Sequence, residues 1–291
     1  MHREYRLSII TVNYNGMHDT CALLDHIAFN PADTEVIVVD NGSSVNEAEM
    51  ISTRYPEVTC IRSDKNLGFA GGNNLGIRHA SGKYLFFINN DTEVAMGDID
   101  KLIERMDSSK RIGIVCPKIR FYYGERHIQY AGFTPMSRIT CRNRGIGYDE
   151  DDRGQHDRPY ATAFAHGAAM LTTRDRIEHV GCMPECYFLY YEEMDWSEMF
   201  KRTGYEIWYE PTAVVWHKES RSTGSDSALK TYWLTRNRLL FVRRNFGASR
   251  ILTYSYLIVG VALRDILRSV LHRRCDLAKA TIKGIVDFIK I

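Results

Sequence analysis

The 291-residue chain has no long apolar run. The longest, Ile251 to Leu263, is broken by Thr253, Ser255 and two tyrosines, and it falls short of the ~20 residues a spanning helix needs. An excess of charge of either sign is also missing. The formal net charge of +2 gives no pointer to nucleic acid, which is not an expected partner. Paired cysteines are missing too: seven, at 21, 60, 116, 141, 182, 186 and 275, make an odd and irregular set that is no disulfide framework. Cys182 and Cys186 have no matching His or Cys cluster nearby, which argues against a zinc site. Reduced thiols in a cytosolic compartment are the expectation. The opening residues, Met1 to Arg6, lead directly into a strand and lack a secretory pattern. No internal repeat or low-complexity tract occurs, and no glycine-rich loop carries the Gly-Lys-Ser/Thr of a P-loop.

What is present is ordinary globular material, 44% hydrophobic and 25% charged, enough for one large α/β domain or a domain with an appendage. Tyr84 to Ile88 are consecutive apolar residues between Ser81-Gly82 and the polar cluster Asn89-Asn90-Asp91, which reads as a buried strand of a mainly parallel sheet. Leu7 to Val12, Glu35 to Asp40 and Val58 to Ile61 read the same way, with helical spacing between them. Each of the three apolar runs Leu7–Val12, Glu35–Asp40 and Tyr84–Ile88 gives way to short side chains bearing oxygen: Thr11 and Asn13, then Asp40 and Asn41, then Asn89 to Asp91. In open α/β sheets, ligands bind beyond the carboxyl ends of strands. Asp91 is a hard oxygen donor suited to a divalent cation, although Asn and Asp are also ordinary turn residues. Asp40 could accept hydrogen bonds from a nucleoside or close an Asx-turn with Ser43, and locally the turn is at least as good a reading. The glycines of Asn66 to Asn74, with a helix expected from about Gly71 to His79, would let a backbone approach a phosphate.

Further along, Tyr148 to Arg158 reads as an exposed loop, and His166 to Leu171 as an apolar strand. Tyr187 to Tyr191 is an aromatic-rich run that delivers Glu192, Glu193 and Asp195 to a helix start. Acids there complement the helix dipole, and a carboxylate beside an aromatic wall can also be a general base. Tyr205 to Tyr209 and Ala213 to Trp216 read as two short strands, the second running on through His217 to Ser220. A lone histidine there is more often structural than a ligand. From Leu229 onward, arginines alternate with leucine, isoleucine and phenylalanine, which suits either an anionic membrane interface or helices packed on the main domain or another subunit.

Taken together, Ile9 to Asn15, Val38 to Ser43, Asn66 to Asn73 and Phe87 to Thr92 resemble, in order and spacing, the family 2 inverting glycosyltransferases with a GT-A fold. The rhamnosyltransferase-like branch of bacterial polysaccharide assembly is the group they resemble most. Gly167 to Leu171, Gly181, Tyr190 to Asp195 and Trp216-His217 fit as later blocks, so the likeness spans roughly residues 7 to 222. It implies a doubly wound, mainly parallel α/β sheet over residues 1–222 and a basic, amphipathic helical appendage over 223–291. It implies transfer of a sugar from a nucleotide-diphosphate donor, dTDP-rhamnose or a UDP-sugar, to a hydroxyl of a glycan or lipid-linked glycan, with inversion. By the same likeness, Thr11, Asn13, Asp40, Asn66, Gly71, Gly72, Asn73 and Asn90 would line the donor site. Asp91 and His217 would hold magnesium or manganese, and Glu193 would be the base, with Asp195 its competitor.

Two departures from the family pattern stand out: Asn89 replaces the first acid of Asp-x-Asp, and Glu193 replaces the usual second-position Asp. The expected location is the cytoplasm, with peripheral contact at the inner face of the membrane through 229–274; an oligomer is left open. The rival reading is a catalytically inactive nucleotide-sugar-binding or scaffolding subunit, against which Asp91, Glu193 and His217 argue.

Overall fold

A computed structural model describes residues 4–123, 127–218 and 227–291. The expected boundary near 222, and the run past Lys218 to Ser220, lie outside the described residues. Alternating apolar runs and turns build β1 (Leu7–Asn13), α1 (Met17–His26), β2 (Thr34–Asp40), α2 (Glu47–Arg54), β3 (Thr59–Arg62), α3 (Gly68–His79) and β4 (Tyr84–Ile88). Strands β3, β2, β1 and β4 pair in that order, all parallel, and Asn13 lies level with Asp40 at their carboxyl ends. β1 and β4 are buried almost throughout, because helices cover both faces of a parallel sheet.

Beyond β4 the sheet becomes mixed. β5 (Thr92–Val94), α4 (Met96–Asp107) and β6 (Ile112–Phe121) are followed by β7 (His127–Tyr130), β8 (Glu150–Asp151) and β9 (Tyr160–Thr162). Then come β10 (Ala169–Thr173), α5 (Arg174–Val180), α6 (Glu192–Arg202) and β11 (Glu206–His217). β10 slots antiparallel between β4 and β6, and β11 runs parallel to β6, giving the order β3-β2-β1-β4-β10-β6-β11-β5. The result is a mixed α/β fold around a central, mostly parallel sheet, with a helical C-terminal region.

Four boundaries differ from the sequence reading. α3 starts at Gly68, not Gly71, since Gly68 adopts φ +75° and a Cβ there would lie 2.2 Å from the Phe188 carbonyl oxygen. The two short strands expected at 205–216 are one strand, β11, kept continuous by a shift of register between Glu210 and Val214, where Pro211 cannot donate to a ladder. The expected 148–158 loop contains β8, and it delivers Asp152 to the buried Lys118 at 3.0 Å, because an interior ammonium needs a counter-charge. The strand expected from His166 begins only at Ala169.

The C-terminal helices are α7 (Ala228–Asn245), α8 (Arg250–Ser255), α9 (Leu263–Leu271) and α10 (Cys275–Lys290), with a wide-turn segment Tyr256–Ala262 joining α8 to α9. Leu239, Leu240, Phe241 and Val242 of α7 share an apolar cluster with Phe164, Tyr187 and Tyr191 of the sheet domain and with Leu257, Val261 and Phe288. Of the two packings the tail left open, α7 takes the one on the main domain. Among the described residues, no helix is long and apolar enough to cross a membrane.

Candidate active site

Thr92 of β5 pairs with His217 of β11, so Asp91 is set against the end of the neighbouring strand. His217 Nε2 lies 3.2 Å from Asp91 Oδ1, and both residues are buried. The other ring nitrogen, Nδ1, is 2.8 Å from Gln129 Oε1. An amide oxygen only accepts, so Nδ1 donates there, and the ring is fixed with Nε2 toward the carboxylate, 3.5 Å from Asn89 Nδ2. A carboxylate and an imidazole nitrogen side by side are donors of the kind a divalent cation takes. A ligating histidine whose far N–H is fixed by a carbonyl is how metal sites set the ring tautomer. The pair therefore fits as part of the holder of a divalent cation, which would need further oxygen ligands from outside these two residues. Among the described residues, no group of three or more His, Cys, Asp or Glu converges on one point, so Asp91 and His217 amount to a half-site.

The loop His166-Gly167-Ala168 links this pair to the second acidic stretch. The Ala168 carbonyl accepts from the Asn89 N–H at 2.9 Å, and the His166 ring stands edge-on to that of His217, 6.4 Å between centroids. Burial first, and His217 second, push His166 down to about 3, so it is a neutral wall. Gly167 faces Phe69 and Glu193, whose Cγ lies 4.0 Å from where a Cβ would stand. Glu193 keeps some contact with solvent. Its carboxyl is pushed up to about 7 by burial, as the aromatic run implied. Glu192 is deeper still and is raised well above the usual carboxylate range by burial, then by the charge of Glu193.

Asp195 sits elsewhere. It is fully buried, with Oδ2 2.5 Å from Arg244 Nε and Oδ1 accepting from Asn245 Nδ2 at 2.8 Å. Expected as the competitor of Glu193 or as a complement to the helix dipole, it ties α6 to α7.

The expected donor contacts fall into two groups. Asn13 and Asp40 are fully buried in a network below the strand ends. Asp40 accepts from the Ser43 N–H at 3.2 Å, which closes the turn, and from the Ala48 N–H of α2 at 3.3 Å, with Arg62 Nη1 and Asn13 Nδ2 each 3.5 Å away. Asn13 donates to Glu47 at 2.7 Å and accepts from Thr20 at 2.8 Å. Thr11 is buried in β1. Gly72 lets α3 close on β1, as a Cβ there would meet Val12 at 2.9 Å, and Gly71 makes room for Leu67 in the same way. Asn73 bonds back to the Phe69 carbonyl within its helix. Asn66 and Asn90 are only partly buried; Asn66 Oδ1 accepts from the Gly68 N–H, and Asn90 donates to Thr20. Three residues absent from the sequence reading of the site are Gln129, His166 and Glu47. Only Glu47 had a local signal, an acid just after the Asn46 N-cap.

Residues 8–181 match glycosyl transferase family 2. A low-salt glycan biosynthesis hexosyltransferase of Haloferax volcanii is 28% identical over 263 residues, 87% of this chain and 82% of that one. An N-acetylglucosaminyl-diphospho-decaprenol L-rhamnosyltransferase of Mycobacterium tuberculosis is 24% identical, over 76% of this chain and 79% of the other. Among solved structures, a mannosyltransferase of Pyrobaculum calidifontis in complex with GDP-Man and Mn2+ superposes with a TM-score of 0.60 at 13% identity, covering 99% of this chain and 88% of that one. TarS residues 1–349 of S. aureus, in complex with UDP-GlcNAc, gives 0.59 at 14% identity, covering 98% and 81%. These structural likenesses carry the GT-A fold. With more than half of its length matched, the chain belongs to glycosyl transferase family 2 and is a glycosyltransferase.

Proposed function

We propose that the protein transfers a sugar, with inversion, from a nucleotide-diphosphate donor, dTDP-rhamnose or a UDP-sugar, to a hydroxyl of a glycan or lipid-linked glycan. The observation that carries this reading is the pairing of Asp91 with His217, joined by one short loop to Glu193. Asp91 and His217 would hold magnesium or manganese, which supplies positive charge to the departing diphosphate. Glu193 takes the proton of the acceptor hydroxyl as its oxygen bonds to the anomeric carbon. The bond to the diphosphate breaks on the opposite face and leaves its electron pair there, so one carboxylate suffices. Thr11, Asn13 and Asp40 shape the floor under the nucleoside, and Asn66, Asn90 and the start of α3 at Gly71, Gly72 and Asn73 form its walls. The lipid-linked acceptor is favoured by the rod α8–α9, whose apolar stripe faces outward. With that stripe on lipid, the enzyme would sit at the inner face of a membrane.

Purified protein assayed against a panel of nucleotide sugars should release diphosphate with one dTDP- or UDP-sugar, only with Mg2+ or Mn2+, and give a product of inverted anomeric configuration. Asp91→Asn should lower that rate by at least about 10²-fold with the melting temperature retained. Turnover undiminished by strong chelator, or by the substitution, would remove the metal from the mechanism.

A further inference from the structure

Glu193 is delivered by an unusual stretch of backbone. Phe188, Tyr190 and Tyr191 have φ of +68°, +69° and +77°, and Tyr191 caps α6 with no side-chain hydrogen bond. Aromatic residues in the left-handed region are strained, and they persist only where the surroundings hold them. The surroundings here are α7. Asn237 is completely buried, and its Nδ2 donates to the carbonyls of Tyr187 at 2.9 Å, Leu189 at 2.7 Å and Tyr190 at 3.1 Å. Its Oδ1 accepts from Arg236 at 2.6 Å, and Arg236 also reaches the Cys186 carbonyl at 3.1 Å. Three carbonyls on one side and a guanidinium on the other fix which way the amide points. Arg238, one residue on, donates to the Tyr191 hydroxyl at 2.9 Å. None of these contacts reaches a reacting atom, and all of them end on the loop whose next residues are Glu192 and Glu193.

We infer that Asn237 is a positioning residue for the catalytic base: its amide holds the 187–191 loop in the form that presents Glu193 beside Gly167. The inference rests on Glu193 being that base. An apolar side chain at 237 would take away the two amide protons that these three carbonyls share, and the loop would relax toward water to satisfy them. Glu193 would follow. The ionisable groups that Glu193 acts on are Glu192 on its own helix and Tyr191, backed by Arg238 of α7, and His166 precedes the Gly167 that faces it. Burial is the main cause of its raised pKa. A relaxed loop gives Glu193 back its water, so its pKa falls.

The test is the pH profile of turnover for the wild type, Asn237→Ala, Arg236→Ala and Glu193→Gln, with the nucleotide sugar that turns over. For Asn237→Ala the expected result is a fall in kcat of about tenfold or more, a donor KM within about twofold, and an acid limb moved down by about one pH unit. Arg236 is partly exposed, so Arg236→Ala should fold even if Asn237→Ala does not, and its acid limb should move down by less. A limb that stays at the wild-type pH in every folded variant, with only the melting temperature lowered, would make Asn237 a merely structural residue and overturn the inference. Full turnover in Glu193→Gln would overturn the base assignment and this inference with it. A dead Glu193→Gln beside an unmoved limb overturns the positioning role alone.

Discussion

At the scale of single residues, a carboxylate that must accept a proton near neutral pH has to be less acidic than one in water. Burial raises Glu193 to about 7 because the ionised form is the one that loses solvation. A base works ionised, so turnover should climb as pH rises through about 7 and level off above it. Glu192 is raised as well, by burial and then by the charge of Glu193, which disfavours its ionised form, and it lies deeper than Glu193. The stability sign is opposite. The unfolded chain ionises Glu193 in the ordinary carboxylate range, so stability is fullest below that range and declines as pH rises to about 7. Glu193→Gln should therefore lose about 10²–10⁴-fold in turnover and abolish the acid limb. At pH 8 it should melt no lower than the wild type. Kinetics across pH 5 to 9 and calorimetry at pH 8 check both halves; an active variant, or one that melts well below the wild type, refutes the assignment. Much of this chemistry was legible, because strand-end Asn and Asp and a run of acids after aromatics are local patterns. The geometry that distinguishes Glu193 from Asp195 was only half legible. Helical phase separates them, but the partners that occupy Asp195 lie about 50 residues on in the chain.

Between elements, the polar face of α7 is used up by the protein. Arg236 and Asn237 hold the loop before α6, Arg238 holds Tyr191, and Arg244 with Asn245 holds Asp195. Arg243 lies over the ring of Phe288, 5.1 Å from its centroid. The sequence shows these arginines only as an alternation with apolar residues, and alternation cannot say which face meets lipid and which meets carbonyls. In α7 these side chains meet protein, so the membrane reading of 229–274 rests on the helices that follow. The contacts of α7 yield a prediction that separates structure from chemistry. Asp195→Asn replaces a buried carboxylate by an amide and leaves Arg244, which is about a third exposed, without its counter-charge. The loss should be roughly 2 kcal/mol, below the 3–5 typical of a fully buried pair because solvent screens Arg244. Differential scanning calorimetry should show a lower melting temperature, with kcat near wild type for the folded fraction. A variant that is catalytically dead yet melts normally would return Asp195 to the mechanism.

For the whole molecule, what remains of the basic tail is the rod running from α8 through the wide turn to α9. Val259, Leu263, Leu267 and Leu271 recur every fourth residue and are exposed by 67, 50, 56 and 81%. Gly260, Arg264 and Arg268 form the adjoining stripe and line the same surface groove. Ile251, Leu252 and Val270 extend the apolar area. A monomer in water gains nothing from such a face, whereas a bilayer interface rich in anionic lipid takes up both stripes together. Leu257 and Val261, on the other side of the rod, pack in the cluster that includes Leu239 and Phe241 of α7. A bilayer surface met by the rod is thus mechanically continuous with the helix that holds the Glu193 loop. An acceptor carried in that bilayer would reach the base without leaving the lipid plane. Vesicles of phosphatidylglycerol should therefore sediment the protein, and vesicles of phosphatidylcholine should do so much less. Each arginine near an anionic surface contributes about 1 kcal/mol, so Arg264→Gln with Arg268→Gln should weaken binding roughly thirtyfold. Leu263→Ser with Leu267→Ser should abolish it on both kinds of vesicle, with turnover on a water-soluble acceptor unchanged. Equal sedimentation with both lipids, or binding that survives all four substitutions, would assign this face to another protein chain instead.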